Sequence, residues 1–343
     1  MQHDAEPRDL SRRKFLRGTG LLGLGGAVSA LSGPLASAAQ PRRQPTPATS
    51  GYDLNRLRKT DPTLVHFEQS GSIPSPYEKP QRITFGPDGR LWISASRRIT
   101  ALKLDGSKTV EITLQEDVRS VAVAANGEIL AGVGDHIEAF DAQGSRTARW
   151  KAVNDKAWIA SLAIAEKDVF ASDAGNRAVY RYDRAGQLIG RIGDKDQARG
   201  IPAYVVPSPY FDLEIGADGL LWVVNPGFHQ LQAFTFDGQL QKKWGEPSFG
   251  ITGFCGCCNP SYFTRMADGR FVTSEKGLNR VKVYSPDGRF ESVVAPTDAF
   301  PKYLENLTSA PIPMDVAVDS QGRVYVADTL GNEIRIYQRI KNV

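Results

Sequence analysis

One motif recurs six times along this chain: two short apolar strands flank a Gly turn, and a third strand ends in an Asp-Gly-type turn. The clearest copies are ITFGPDGRLWIS from Ile83, LEIGADGLLWVV from Leu213 and VAVDSQGRVYVA from Val316. Strand-built repeats of about 40–50 residues read as propeller blades, since a single unit cannot bury its own faces. The expected fold is therefore all-β, a six-bladed β-propeller of four-stranded blades over residues 63–343. The copies align on Gly89, Gly127, a degenerate Lys167-Asp168, Gly219, Gly269 and Gly322. Apolar side chains lie four and six residues earlier, as in Phe85/Ile83 and Ile215/Leu213, and this period of two marks a strand. Third strands end at Gly106, Gly144, Gly186, Gly238 and Gly288, where DG-type turns close hairpins. After the sixth blade only IRIYQ remains, so residues 64–68 (LVHFE) are expected to complete that blade and remove the open sheet edges.

Two copies, VYVADTLGNEIRIY from Val324 and VFASDAGNRAVYRYD from Val169, carry the run apolar-x-Asp-x-x-x-Asn-x-apolar. On these motifs residues 82–338 resemble the NHL-repeat propellers. The resemblance implies the fold and leaves function open, because such propellers host enzymes, sensors and interaction modules.

The chain opens with a different composition. Ser11-Arg12-Arg13-Lys14-Phe15-Leu16 forms a twin-arginine pattern, followed by a Gly/Ala/Leu stretch over residues 20–35 and by Ala36-Ser37-Ala38. Residues 1–39 read as a signal peptide for export to the periplasm or beyond by the twin-arginine route. Residues 40–62, rich in Pro, Arg and Thr, read as a disordered linker. Net charge is +4, with many arginines in the leader and linker, so the remaining domain is near neutral. No basic stripe for nucleic acid is apparent. No membrane span is expected in the mature form, and the chain is expected to act as a monomer.

In a four-stranded up-and-down blade, the second turn and the crossing to the next blade share one face. Those crossings lengthen toward the C-terminus: 106–121 and 144–162, then 186–213, 238–263 and 288–316. Long loops are seldom kept without use, so the canopy they form over blades three to six is the expected binding face. Second strands end there with Ala95, Val133, Asp173, Asn225, Glu275 and Asp328. Asp and Asn at such sites often cap their own turns. Asn225 and Glu275 depart from the repeat and are ligand-binding candidates beside Asp173, Lys276 and Arg280. A second aligned site reads Asn176, His229, Asn279 and Asn332, with His229 the departure. Arg265, apolar in other copies, would need an anionic partner, for which Glu275 is a candidate. Trp158 and Trp244 are candidates for lining the mouth.

All three cysteines lie in Gly253-Phe254-Cys255-Gly256-Cys257-Cys258-Asn259-Pro260, in the crossing from blade four to blade five. A disulfide-stabilised exported protein would spread an even number along its chain. Soft thiolates from a C-G-C-C run can instead converge on one ion. Cys255, Cys257 and Cys258, with His229, form the candidate metal set. Copper(I), zinc or an iron–sulfur cluster are the candidate cofactors, though adjacent cysteines suit tetrahedral zinc poorly and clusters usually take four. Thiol–disulfide chemistry and plain packing are the alternatives. The run is similar to Gly-Phe-Cys-Gly-Cys-Cys-Asn-Pro loops of exported NHL-type proteins, which implies a subfamily hallmark and no reaction.

Two functional classes follow. In one, a metal or redox site on the canopy binds a small molecule or protein, with Glu275 or Lys276 as proton donor or clamp, in an oxidoreductase or a metal-assisted lyase or hydrolase. NHL-type propellers include a zinc-dependent amidating lyase, and gluconolactonase-type propellers hydrolyse lactones with one divalent ion; their metals sit on His, Asp, Glu or Asn in the channel. In the other class the chain is a non-catalytic extracytoplasmic scaffold gripping a peptide, glycan or protein, with a structural cysteine loop.

Overall fold

A computed structural model describes residues 54–305 and 311–341. The leader reading of residues 1–39 falls outside them. Of the linker, only residues 54–62 fall inside, with a short helix at Leu54–Arg58 and a 3-10 turn beginning at Pro62.

Six four-stranded antiparallel sheets form the blades of a β-propeller. In chain order they occupy residues 82–113, 118–149, 159–192, 213–244 and 262–295, each running from an inner to an outer strand, and 316–339, which supplies the inner three strands of blade six. The central strands explain why the repeats are so apolar. Leu91–Ala95, Ile129–Val133 and Leu221–Asn225 are buried at every position, because a blade packs both its faces against neighbouring blades. Aromatic rings fill the wedge between blades. Trp222 of blade four meets Phe271 of blade five edge-to-face at 4.7 Å, and Trp92, Phe170 and Tyr325 are likewise sealed from solvent.

The turn glycines behave as the repeat predicts. Gly89, Gly127, Gly219, Gly269 and Gly322 all take φ between 72° and 86°, and each N–H closes a turn onto the carbonyl three residues earlier. A side chain with a Cβ is disfavoured in that left-handed region. Blade three, which lacks the glycine, turns more tightly, with Ala165 N–H on Asp168 O.

The ring is closed by the early segment, with a shifted register. The closing strand is Phe67–Pro74, the outermost strand of blade six. It pairs with Glu333–Arg339 from Phe67↔Arg339 to Pro74↔Glu333, with a bulge between Gln69 and Gly71. The expected span of 64–68 therefore overlaps only its first residues. Pro62–Leu64 form the 3-10 turn instead, capped by Asp61 through the Thr63 amide, and Val65 makes an isolated parallel bridge to Val293. Gly71 and Ser72 have little strand propensity, and it is the unpaired edge of the last blade that extends them.

The expected lengthening of the crossings also holds. They cover residues 114–117 and 150–158 early in the chain, then 193–212, 245–261 and 296–315. Every inner strand starts from this loop-rich face, so the residue opening each one stands at that end of the central channel. Among the described residues, no helix is long and apolar enough to cross a membrane.

Candidate functional site

The cysteine loop is held from below by buried charge. Glu275, directly after the second strand of blade five, is completely buried. Its Oε1 accepts the Cys255 amide at 3.0 Å, while Arg280 Nε bonds Oε2 and Lys282 Nζ lies 3.2 Å from the same oxygen. Lys282 is also completely buried, and it donates to Gly253 O at 2.6 Å and Ile251 O at 3.1 Å. Its three donors thus meet three acceptors, the condition for keeping an ammonium inside. Its charge also lies 4.8 Å from the Phe254 ring centre and 5.2 Å from that of Tyr284. Burial alone would raise the Glu275 carboxyl, but Lys282, Arg280 and the Cys255 amide outweigh it and hold it below the usual range. Burial draws Lys282 down to about 8, against the pull of Glu275.

The loop is clamped from the sides as well. Gly256, at φ 85°, reverses the chain after Cys255. Asn259 reaches back to Cys255 O and donates to Lys276 O at 3.0 Å, while its Oδ1 accepts the Lys276 amide at 2.9 Å. Pro260 follows through a cis peptide and leads into the inner strand of blade five. His229 occupies a left-handed turn position at φ 57°, matched by Arg177, Asn279 and Asn332 in three other blades. Its Nε2 meets Gly256 O at 2.6 Å. A carbonyl only accepts, so Nε2 carries the proton and ties two canopy loops together.

The three thiols divide into two environments. Cys257 Sγ and Cys258 Sγ lie 3.1 Å apart, closer than ordinary non-bonded contact. Cys257 is exposed and Cys258 is buried. Burial pushes the Cys258 thiol up, with Ser208 and Lys276 pulling it down and Cys257 adding to the rise. Cys255 instead lies beside the Glu275 cluster; burial raises its thiol, Glu275 adding and Arg280 and Lys282 opposing. Among the described residues, no group of three or more His, Cys, Asp and Glu side chains is placed to hold a metal ion. The set Cys255, Cys257, Cys258 and His229 is thus neighbouring in space without converging.

The polar column at the second-strand ends has a common task in blades three to five. Asp173 accepts the Trp158 amide, Asn225 the Val205 amide and Glu275 the Cys255 amide. Each anchors the crossing that enters its own blade. Asp173 also caps its turn through Asn176, as the Asp…Asn repeat suggested, and Asp328 does so through the Gly331 amide. Asp173, Asn225, Glu275 and Arg280 are all buried, whereas Lys276 is half-buried, 5.6 Å from the Tyr210 ring centre.

Two pairings differ from expectation. Arg265 pairs with Asp218 at 3.0 Å, not with Glu275. It closes the inner strand of blade five at the turn end, whereas Glu275 lies at the opposite, loop-rich end. Trp244 does not line the mouth. It ends an outer strand and packs on Phe254, Phe271 and Tyr284 at 4.9–6.0 Å. Trp158 precedes an inner strand, with the Arg119 guanidinium 3.3 Å above its ring.

Sequence reasoning missed the centre of the ring. Arg82, first residue of blade one, donates to Asp212 Oδ1 at 2.8 Å and lies 3.4 Å from Asp315 and 4.3 Å from the Tyr262 ring centre. It also reaches Ser161 Oγ at 3.3 Å. One guanidinium therefore bridges blades three to six across the channel. Asp212 further accepts the Phe263 amide, and Asp315 the Ile83 amide, stitching adjacent blades. A cavity of about 320 Å³ runs along the inner strands from this cluster, past Glu214, toward the turn end. Burial pushes Asp315 up to about 7 against the pull of Arg82, with Asp212 adding. Glu214 is pushed by burial up to about 8, Thr264 opposing and Asp212 adding. The signal was present: the residue before each aligned inner-strand apolar is Arg82, Ser120, Ser161, Asp212, Tyr262 or Asp315, polar in every blade.

No family model matches the chain, and no curated protein does. Solved structures do resemble it. A streptogramin B lyase structure has a TM-score of 0.55 at 14% identity, covering 80% of this chain and 98% of the other. A catalytically inactive virginiamycin B lyase from Staphylococcus aureus with quinupristin has 0.54 at 15%, covering 80% and 100%. The WD40 β-propeller domain of Doa1 has 0.51 at 12%, covering 81% and 98%. Lyase and WD40 propellers alike share this fold, and at such identities the likeness concerns the fold alone.

Proposed function

We propose that this chain is an exported NHL-type propeller that binds a small molecule or protein on its loop-rich face and carries there a cysteine-centred redox site. The observation behind this reading is the Cys257–Cys258 pair, sulfurs 3.1 Å apart, one exposed and one buried. The loop bearing it is fixed by Glu275, Lys282, His229 and Asn259. Cysteines kept only for packing would all be buried and would need no such support. The exposed member of a close pair is suited to attack, and its buried neighbour to resolve the product. The twin-arginine pattern supports export, where disulfide exchange partners are available.

A binding role draws support from three exposed apolar side chains on the segments that surround the loop: Val205 at 42%, Phe228 at 42% and Phe249 at 47% exposure. Phe228 adjoins His229, whose ring bonds Gly256. Phe249 lies in the loop between Pro247 and Phe254, whose ends are joined by a parallel bridge. Glu275 is too deeply buried for a proton donor to a ligand and serves in positioning; Lys276 is the side chain left to clamp one.

A second reading, favoured by the same sulfur separation, gives the pair to a soft ion such as copper(I), which two thiolates satisfy. Elemental analysis and thiol titration of the exported protein separate the two. The redox reading expects no stoichiometric metal and one fast-reacting thiol, lost in Cys257→Ser. Stoichiometric copper that disappears in Cys257→Ser would transfer the site to the second reading. Three unreactive thiols without metal would reduce the loop to a structural element and leave only a binding scaffold.

A further inference from the structure

Resting on the redox reading above, we infer that Cys257 and Cys258 close on each other into a disulfide between adjacent residues. They form a reversible two-electron switch on the binding face from which Cys255 is excluded. The selection is geometric. The Sγ atoms of Cys257 and Cys258 are in contact, whereas Cys255 is drawn toward the Glu275 cluster by its own amide. Gly256 turns the chain between them.

The step balances with a disulfide R–S–S–R as oxidant, either a small-molecule or a protein disulfide of the exported compartment. The Cys257 thiol loses its proton and attacks one sulfur, forming Cys257–S–S–R and releasing R–S⁻. The Cys258 thiol then loses its proton and attacks the Cys257 sulfur, forming the ring and releasing the second R–S⁻. Two protein thiols are oxidised, one disulfide is reduced, and the two protons end on the released thiolates.

Covalent geometry makes the product a switch in place of a staple. Neighbouring Cα atoms are about 3.8 Å apart across a trans peptide, short of the roughly 4.4–6.8 Å that disulfides prefer. A disulfide held in that ring is strained, and strained or exposed disulfides are the readily reduced, regulatory ones. The clamps at Cys255, Gly256 and Asn259 lie on both sides of the pair. Closure therefore reshapes the face locally, next to Lys276, and leaves the blades in place.

The test equilibrates the exported protein with reduced and oxidised glutathione, quenches by alkylation and maps the peptide by mass. The wild-type protein should lose two hydrogens within the peptide holding residues 257 and 258, fully reversed by excess reduced glutathione. Cys255→Ser should behave identically. Cys258→Ser should stop at a glutathione adduct on Cys257, and Cys257→Ser should resist oxidation because its remaining pair is not in contact. A bridge to Cys255, or a persistent adduct on wild-type Cys257, overturns the switch while sparing the redox reading. If no thiol reacts, both fail. Wild-type mapping decides the matter even where a variant folds poorly.

Discussion

Glu275 shows how one residue links stability to the shape of the binding face. Its carboxylate neutralises two buried cations and also receives the Cys255 amide. Glu275→Ala leaves Arg280 and Lys282 uncompensated, for which about 3–5 kcal/mol is expected. The urea midpoint should fall accordingly, and native-state alkylation of Cys255 should quicken as the loop is released. Lys282→Met combined with Glu275→Leu should cost much less than the sum of the single changes, because the two groups share one network. Lys276→Ala, at a half-buried position, should stay within about 0.5 kcal/mol. The cysteine, glycine and proline of this loop were legible because each of those residue types has distinctive chemistry. Lys282 was not. It alternates with Val281 and Val283 as a solvent-facing strand residue would, and only the neighbouring loop reveals that its amino group is enclosed.

At the scale of the element, the closing strand decides whether the ring holds. Ile73 is buried in the same apolar cluster as Tyr325 and Ile334, so Ile73→Ala should cost about 2–5 kcal/mol by thermal or urea unfolding. A chain lacking residues 1–75 would leave Glu333–Arg339 as an unpaired edge. It is expected to melt earlier and to self-associate, which size-exclusion chromatography with light scattering would detect. Retention of a monomer with unchanged melting would mean the closure contributes little. The need for a closing strand was legible from a sixth blade left short. Its register was not, because Phe67–Pro74 lacks the clean alternation of the central strands and is shaped by its partner.

For the whole molecule, the central channel sets the response to pH. Glu214 is held at about 8 and Asp315 at about 7, both above the values these groups have in an unfolded chain. At these two groups the folded protein therefore binds more protons than the unfolded protein between roughly pH 4 and 8, and Lys282, drawn down to about 8, opposes them only at the top of that range. The stability these groups add is complete below their unfolded values and is lost as pH rises through about 7 and 8. Unfolding free energy should thus decline from pH 5 to pH 8, and Glu214→Gln should flatten that slope. A variant with the same slope as wild type would remove Glu214 from the explanation. Nothing in the spacing of Glu214 or Asp315 announces this. Their shifts come from burial in a ring whose members are far apart in sequence.

The repeat by itself determined the blades, their number, the turns between their strands and the face on which long loops gather. All of these follow from local periodicity and turn chemistry, which act over a few residues. Only the closed ring decided that Arg82 meets Asp212 and Asp315, that Arg265 meets Asp218, and that Lys282 and Glu275 serve the cysteine loop. Such pairings join separate blades or distant crossings. Their energy depends on which groups share a dry interior, and that arrangement exists only once the ring has closed.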